Sequence, residues 1–296
     1  MACYSPLQGW RDSCGAIVFS RRKGTDAEVT VPCYTCVGCR IARTRMWALR
    51  IVHESKLWDR NSFVTLTYAP EHLPPYGSLR YSDVQLFHKR LRKAVGPFRF
   101  FCVGEYGENL SRPHYHLCYF GYFPDDARKL LSSDEKLPAY SSASLSEIWG
   151  LGHVHVGSLT YQSARYCAGY IFKKQYGDRG DIRYAVVDAD GVVNRVMPEF
   201  ARMSLRPGIG ASWYRRYASD FHTFDVAVLD GKRFPVPKYY DVLLERENPD
   251  RLAELREDRE LNALRFREDN SPDRLAVKAV VAAAGVADAD HRMRVK

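Results

Sequence analysis

Hydrophobic and polar positions along the chain fall into runs of different period. Between Arg40 and Trp58, apolar Ile41, Leu49 and Val52 recur among several arginines, which predicts a helix. NSFVTLTY, ending at Tyr68, predicts a strand. A second helix is expected from Ser82, where Ser82 and Gln85 have capping-box spacing and Lys89, Arg90, Arg92 and Lys93 fall on its exposed side. RFFCVGEYG and HYHLCYFGY are apolar and aromatic enough to be sheet strands, and a short helix is expected near 125–131. HVHVG predicts a further strand. It leads into a helix from Thr160 to Gln175, with Thr160 as N-cap and Gly177 just past the end. Asp190-Gly191 and Asp230-Gly231 sit between apolar runs and predict hairpins. Past Tyr240 the mixed-charge LLERENPDRLAELREDRELNALRFRED and the alanine-rich VKAVVAAAG predict a helical appendage with a solvated face.

These runs divide the 296 residues into a cysteine-rich segment (1–39), a mixed α and β body (40–240) and a charged helical tail (241–296), with no internal repeat. The body is long enough for one sizeable core. Charge sharpens the division. The tail holds thirteen acidic and eleven basic side chains, so the formal charge of +9 becomes +11 on residues 1–240. A basic body suits a polyanion, and nineteen tyrosines, fourteen phenylalanines and five tryptophans offer surfaces on which unpaired bases can stack, although most such rings in any globular chain are core. The first residues lack the apolar core of a signal peptide, and no run approaches the length of a membrane span. Eight cysteines without a secretory signal read as thiols or metal ligands rather than disulfides, which places the protein in a cytoplasm.

Candidate chemistry concentrates in two motifs. In a strand, His114 and His116 project to one side and can present two imidazoles to one ion. If the strand ending near Glu105 pairs antiparallel with theirs, Glu105 joins them. The resulting two-nitrogen, one-oxygen set with open positions suits Mg2+ or Mn2+ polarising a phosphate oxygen. On the predicted 160–175 helix, Tyr166 and Tyr170 lie one above the other, and Lys174 continues their stripe with Lys173 beside it. A phenol attacking phosphorus needs its charge offset, which a neighbouring cation helps to do. Gly169 between the tyrosines costs about 1 kcal/mol of helix stability relative to alanine, which points to close approach of a backbone or a DNA strand.

TLTY (65–68), the HxH strand preceded by Arg112 and Pro113, and the helix carrying Y-x3-Y resemble, in that order, the HUH endonuclease superfamily. PCYTCVGCR, FVTLTY, GEYG, RPHYH, ARYCAGYIFKK and LRPGIGASWY narrow the resemblance to rolling-circle replication initiators of the Microviridae, especially the gokushovirus branch, from Met1 to about Tyr217. The resemblance implies an α+β fold with a central, mainly antiparallel sheet and flanking helices. It also implies a site-specific single-stranded DNA endonuclease and strand transferase that forms a 5′-phosphotyrosine at the viral origin. Host helicase and polymerase would be its partners in the bacterial cytoplasm. In the coliphage branch a lysine stands between the tyrosines. Here Cys167, Ala168 and Gly169 occupy that interval, leaving Lys173 or Lys174 for the role. A two-tyrosine transposase or plasmid initiator would share the site, and a non-catalytic zinc-containing nucleic-acid-binding protein is the alternative from another class.

Other motifs have plainer readings. HVHV at 153–156 is a second HxH, read as structural because no acidic strand or Arg-Pro context accompanies it. Cys33, Cys36 and Cys39 can grip Zn2+ with Cys3 or Cys14 as fourth ligand, although an iron–sulfur cluster uses related spacing and reduced thiols need no metal. The arginine-rich first helix reads as a DNA-facing surface or an ordinary charged face. RPGIG reads as a phosphate-binding loop or a turn.

Overall fold

The computed structural model describes residues 3–21, 28–107, 110–130, 138–172 and 178–294. They form two compact units, one spanning Thr44–Leu243 and the other built from Met1–Arg43 with Leu244–Lys296. In chain order the elements are β1 (Leu7–Arg11), β2 (Ile17–Val18), β3 (Glu28–Val31), α1 (Val37–Ser55), β4 (Asn61–Tyr68), α2 (Tyr81–Val95), β5 (Arg99–Tyr106) and β6 (Pro113–Phe120). There follow β7 (Arg128–Lys129), β8 (Ala139–Ser141), α3 (Ala143–Trp149), β9 (Gly152–Ser158), α4 (Tyr161–Gly169), α5 (Asp178–Arg183), β10 (Ala185–Val187), β11 (Val193–Arg195) and β12 (Phe200–Met203). The last elements are α6 (Ala211–Phe224), β13 (Val226–Leu229), β14 (Lys232–Pro235), α7 (Lys238–Glu247), α8 (Pro249–Leu264) and α9 (Pro272–Arg294). The fold is α+β. No described helix is long and apolar enough to cross a membrane.

The larger unit is organised by a seven-stranded antiparallel sheet in the order β12-β5-β6-β4-β9-β8-β7. Strand alternation sorts its side chains into two faces. Val64, Leu66 and Tyr68 of β4, Cys102 of β5, Tyr115, Leu117 and Tyr119 of β6 and Val154 and Val156 of β9 pack with Val84, Phe87 and Leu91 of α2 and Leu145 and Trp149 of α3. Their neighbours in sequence, including Phe101, Val103, Cys118 and Phe120, face the other way. They meet Ala48, Leu49, Ile51 and Val52 of α1, Ala164 and Cys167 of α4 and Tyr214 and Phe221 of α6. With β5 and β6 covered on both faces, these strands are apolar almost throughout, whereas β4 alternates between buried and half-buried.

Two turns follow their local chemistry. Between β13 and β14, Asp230 and Gly231 have φ of 49° and 72°, the two positive values of a type I′ turn. The Asp190-Gly191 hairpin joins β10 to β11.

Elsewhere tertiary bonds override local signals. Helix α2 starts at Tyr81 with Arg80 as an N-cap that makes no side-chain bond, in place of the Ser82 box. The buried Tyr115 hydroxyl accepts from Arg80 N–H at 2.7 Å and donates to its carbonyl at 3.2 Å, which fixes the entry one residue early. The helix expected near 125–131 is not formed at Arg128–Lys129, which pair with β8. Asp126 there accepts from Ser142 Oγ, Ser144 N–H and Ser144 Oγ, and the helix forms instead at α3, capped by Ser142. RPGIG is a packed turn. Gly210 N–H donates to the buried Glu54 carboxylate at 2.7 Å, and Arg50 Nε donates to the Ile209 carbonyl at 3.0 Å. That bond, and stacking of the Arg50 guanidinium 4.0 Å from both the Trp47 and Tyr239 ring centroids, removes Arg50 from any DNA-facing set on α1.

His53 and His88 are buried, and burial, aided by Lys56 and Arg92 respectively, pushes each from its ordinary 6.5 down to about 3. Between those values the unfolded chain binds the extra protons, so stability falls as pH drops from 6.5 toward 3, by up to about 1.4 kcal/mol per pH unit for each histidine. His88 packs against Phe98, Phe100 and Tyr119, so His88→Phe should flatten the fall in urea midpoint between pH 7 and pH 4. An identical slope in the variant would show that His88 does not contribute.

Candidate active site

Sheet register assembles the site. Glu105 of β5 pairs with His114 of β6, His114 with Thr67 of β4, and Thr67 with His153 of β9. One step along the strands, His116 pairs with Thr65, and Thr65 with His155. Cross-strand partners share a face, so both rows lie on the face that elsewhere carries Phe101 and Cys118. His116 and Glu105 are buried, and His116 Nε2 lies 3.0 Å from Glu105 Oε1. On its other side His116 Nδ1 is 3.0 Å from Thr65 Oγ1.

His114 Nδ1 donates to the Arg112 carbonyl at 2.8 Å, which leaves Nε2 as the ring's lone-pair nitrogen. Burial holds its pKa below the usual histidine range, and the positive charge of nearby Arg112 acts in the same direction. Neutral imidazole, the ligating form, is thereby favoured. Gly107 gives the ring room, since a Cβ there would lie 3.0 Å from His114 Cε1.

Helix α4 brings the tyrosines onto this face. Thr160 and Ser163 form a reciprocal capping box two residues after β9 ends, which sets where the helix begins. The α-helix stops at Gly169, short of the expected Gln175, and a 3-10 turn covers Tyr170–Phe172. Lys173 and Lys174 lie outside the described residues. A Cβ on Gly169 would meet nothing within 4 Å, so no part of this chain's own backbone accounts for that glycine.

The Tyr166 ring meets the His116 ring edge-on at 5.1 Å, and the Tyr170 ring lies nearly parallel to it, also at 5.1 Å. The two phenols meet each other edge-on at 4.8 Å. Their environments differ. Tyr166 is 37% exposed and Tyr170 9%. Burial, followed by the negative charge of Glu105, pushes the Tyr170 phenol well above its ordinary range, and its hydroxyl is hydrogen-bonded to Tyr166 and Glu105.

The structure therefore gathers Glu105, His114, His116, Tyr166 and Tyr170 on one face. It also adds residues that sequence reasoning passed over. Thr65 orients His116, Phe63 stacks parallel to it at 5.7 Å, and Gly107 accommodates His114. His153 and His155 are exposed on the same face, two strands from β6 or about 10 Å across the sheet. The structural reading of HVHV is thus corrected, because its valines are core and its histidines are not. Among the described residues, the ligand atoms gathered within 4.8 Å of one another are those of Cys3, Cys33, Cys36 and Cys39; Glu105 and the two histidines are less tightly drawn together. Cys14 is exposed and takes no part.

The asymmetry of the phenols is measurable. Brief nitration followed by peptide mass spectrometry should modify Tyr166 several times faster than Tyr170. Equal labelling would contradict the burial of Tyr170.

Residues 61–175 match the family model for replication-associated proteins of the ORF2 type. The chain is 32% identical over 267 residues to the "Replication-associated protein VP4" of Bdellovibrio phage phiMH2K, a match covering 86% of this chain and 80% of that protein. It is 33% identical over 275 residues to the "Replication-associated protein ORF2" of Spiroplasma virus 4, covering 83% and 81% respectively. A third relative, the "Replication-associated protein ORF4" of Chlamydia phage 1, is 28% identical over 225 residues, covering 73% of this chain and 54% of that protein. No solved structure matches. With two relatives above 30% identity, each aligned over more than four-fifths of this chain, the chain belongs to the family of phage replication-associated proteins.

Proposed function

We propose that this protein starts rolling-circle replication by nicking single-stranded DNA at the viral origin through tyrosine transesterification. The observation that carries the reading is the exposed Tyr166 phenol set edge-on against His116, in the same face as Glu105 and His114. The segment matched by the replication family, 61–175, contains all of these residues.

Glu105, His114 and His116 fit a divalent ion such as Mg2+ or Mn2+ in their donor chemistry. His114 Nε2 is left as the lone-pair nitrogen by the Arg112 carbonyl. His116 can present Nε2 once its Nδ1 proton points to Thr65 Oγ1. An ion held there supplies positive charge against a non-bridging oxygen of the scissile phosphate.

Tyr166 is the first nucleophile in this reading. Its oxygen bonds to phosphorus as the bond from phosphorus to the 3′ oxygen breaks. The phenolic proton is lost to solvent, and the departing 3′ oxygen takes one up to become a hydroxyl. The products are a 5′-phosphotyrosine and a 3′-hydroxyl that primes a host polymerase, with a host helicase opening the duplex in the bacterial cytoplasm. Tyr170 stays protonated while buried beside Glu105 and acts in the second cleavage, after which the released 3′-hydroxyl attacks the first phosphotyrosine and closes the circle. Lys173 and Lys174 follow the tyrosines in sequence and are assigned to holding phosphate. His153 and His155 lie exposed where a bound strand can continue across the sheet.

Incubation with origin-region single-stranded DNA and Mn2+, followed by denaturing gels, tests the reading. A covalent adduct is expected. His114→Ala, His116→Ala or EDTA should lower cleavage at least about 100-fold while DNA binding, driven by phosphate contacts, largely survives. Full nicking in EDTA would remove the ion from the mechanism.

The tyrosines separate an initiator from a simple nickase. Tyr166→Phe should lose most adduct formation, Tyr170→Phe should retain cleavage of a short oligonucleotide, and the double variant should form no adduct. On a template with two origins, neither single variant should release closed circles. If Tyr170→Phe yields circles as efficiently as the unmutated protein, Tyr170 is packing and the alternating scheme is wrong.

A further inference from the structure

A second centre lies in the smaller unit, among residues that the replication chemistry does not use. Cys3 precedes β1, Cys33 follows β3, and Cys36 and Cys39 flank the start of α1. Cys3 Sγ is 3.7 Å from Cys33 Sγ and 3.9 Å from Cys36 Sγ. All four sulfurs lie within 4.8 Å of one another.

Sulfurs placed tetrahedrally about one ion at a Zn–S distance of about 2.3 Å are separated by about 3.8 Å along each edge. The two sulfur separations fall on either side of that value. A disulfide would need about 2.05 Å, and all four cysteines are free. A four-iron cluster attaches each thiolate to a different iron and needs the sulfurs farther apart than a single ion does.

Backbone donors converge on the sulfurs. Cys33 N–H donates to Cys3 Sγ, Cys36 N–H to Cys33 Sγ and Tyr4 N–H to Cys36 Sγ, each at 3.3 Å, and Cys39 N–H donates to Cys36 Sγ at 3.5 Å. A neutral thiol is a weak acceptor, and such donors favour the anionic thiolate that ligates metal. The turn that returns Cys36 N–H to Cys33 passes through Tyr34 at φ 60°, a left-handed conformation uncommon for a bulky residue. Cys3 and Cys39 are buried, and Cys33 and Cys36 are half-buried.

We propose that Cys3, Cys33, Cys36 and Cys39 bind one structural Zn2+ that fastens the β1–β3 segment to the first turn of α1. The thiols ligate as thiolates and release their protons to solvent. The inference stands apart from the nicking mechanism.

The test uses the full chain, purified reduced and without a metal-affinity tag. Elemental analysis should find about one zinc per chain. The zinc should persist in Cys14→Ser and His114→Ala, fall toward background in Cys3→Ser and Cys36→Ser, and its removal by chelator should lower the melting temperature. Where a serine variant fails to fold, Co2+ added to metal-stripped unmutated protein decides the matter, because four thiolates give it the intense visible absorption of a tetrahedral sulfur site. Zinc retained in Cys3→Ser, absent from the unmutated protein, or replaced by disulfides in non-reducing mass spectra would overturn the assignment, as would a weak octahedral Co2+ spectrum.

Discussion

Cross-strand register is the constraint on which the rest of the larger unit depends. Because side chains alternate along each strand, the pairing of Glu105 with His114 and of His116 with Thr65 places a carboxylate, two imidazoles and a hydroxyl on one face. The same alternation sends Tyr115 and Leu117 into the opposite core. A slip of one residue between β5 and β6 would exchange these sets, burying His114 and His116 against α2 and α3 and turning Tyr115 toward α4. The apolar residues of β6 therefore fix the position of its histidines, and packing and site geometry are one commitment.

The tyrosines illustrate how a symmetrical motif becomes unsymmetrical in a fold. Spacing of four predicts two equivalent phenols on one face. Helix α4, however, ends between them at Gly169, and Tyr170 enters a tighter turn whose ring lies parallel to His116. Glu105 contacts the deeper phenol, and its charge opposes ionisation there, while Tyr166 stays open to solvent. The carboxylate read as a metal ligand thus also sets the difference between the two hydroxyls.

The parts legible in the sequence are those governed by short-range periodicity. The shared side of His114 and His116 follows from a period of two, the Thr160 cap from helix-end chemistry, and the two Asp-Gly turns from their tolerance of positive φ. What escaped depends on distant residues. His153 and His155 join the site face only because β4 lies between β6 and β9, a pairing with no local signature. The start of α2 is set by Tyr115 hydroxyl, thirty-five positions away, and Ser82 has no influence on it. Spacing alone could not choose between Cys3 and Cys14 beside Cys33; the return of β1 alongside β3 brings Cys3 into the cluster and leaves Cys14 in solvent.

The two units differ in how the chain is laid out within them. Thr44–Leu243 is continuous, whereas the smaller unit joins the first 43 residues to the last 53, from Leu244 to Lys296. On a ribosome the segment carrying Cys3 to Cys39 emerges first and waits through about two hundred further residues before the helices of its own unit appear, by which time the sheet-bearing unit is complete and able to fold. The order of synthesis thus inverts the order of assembly: the middle of the gene product matures first, and its two ends close last.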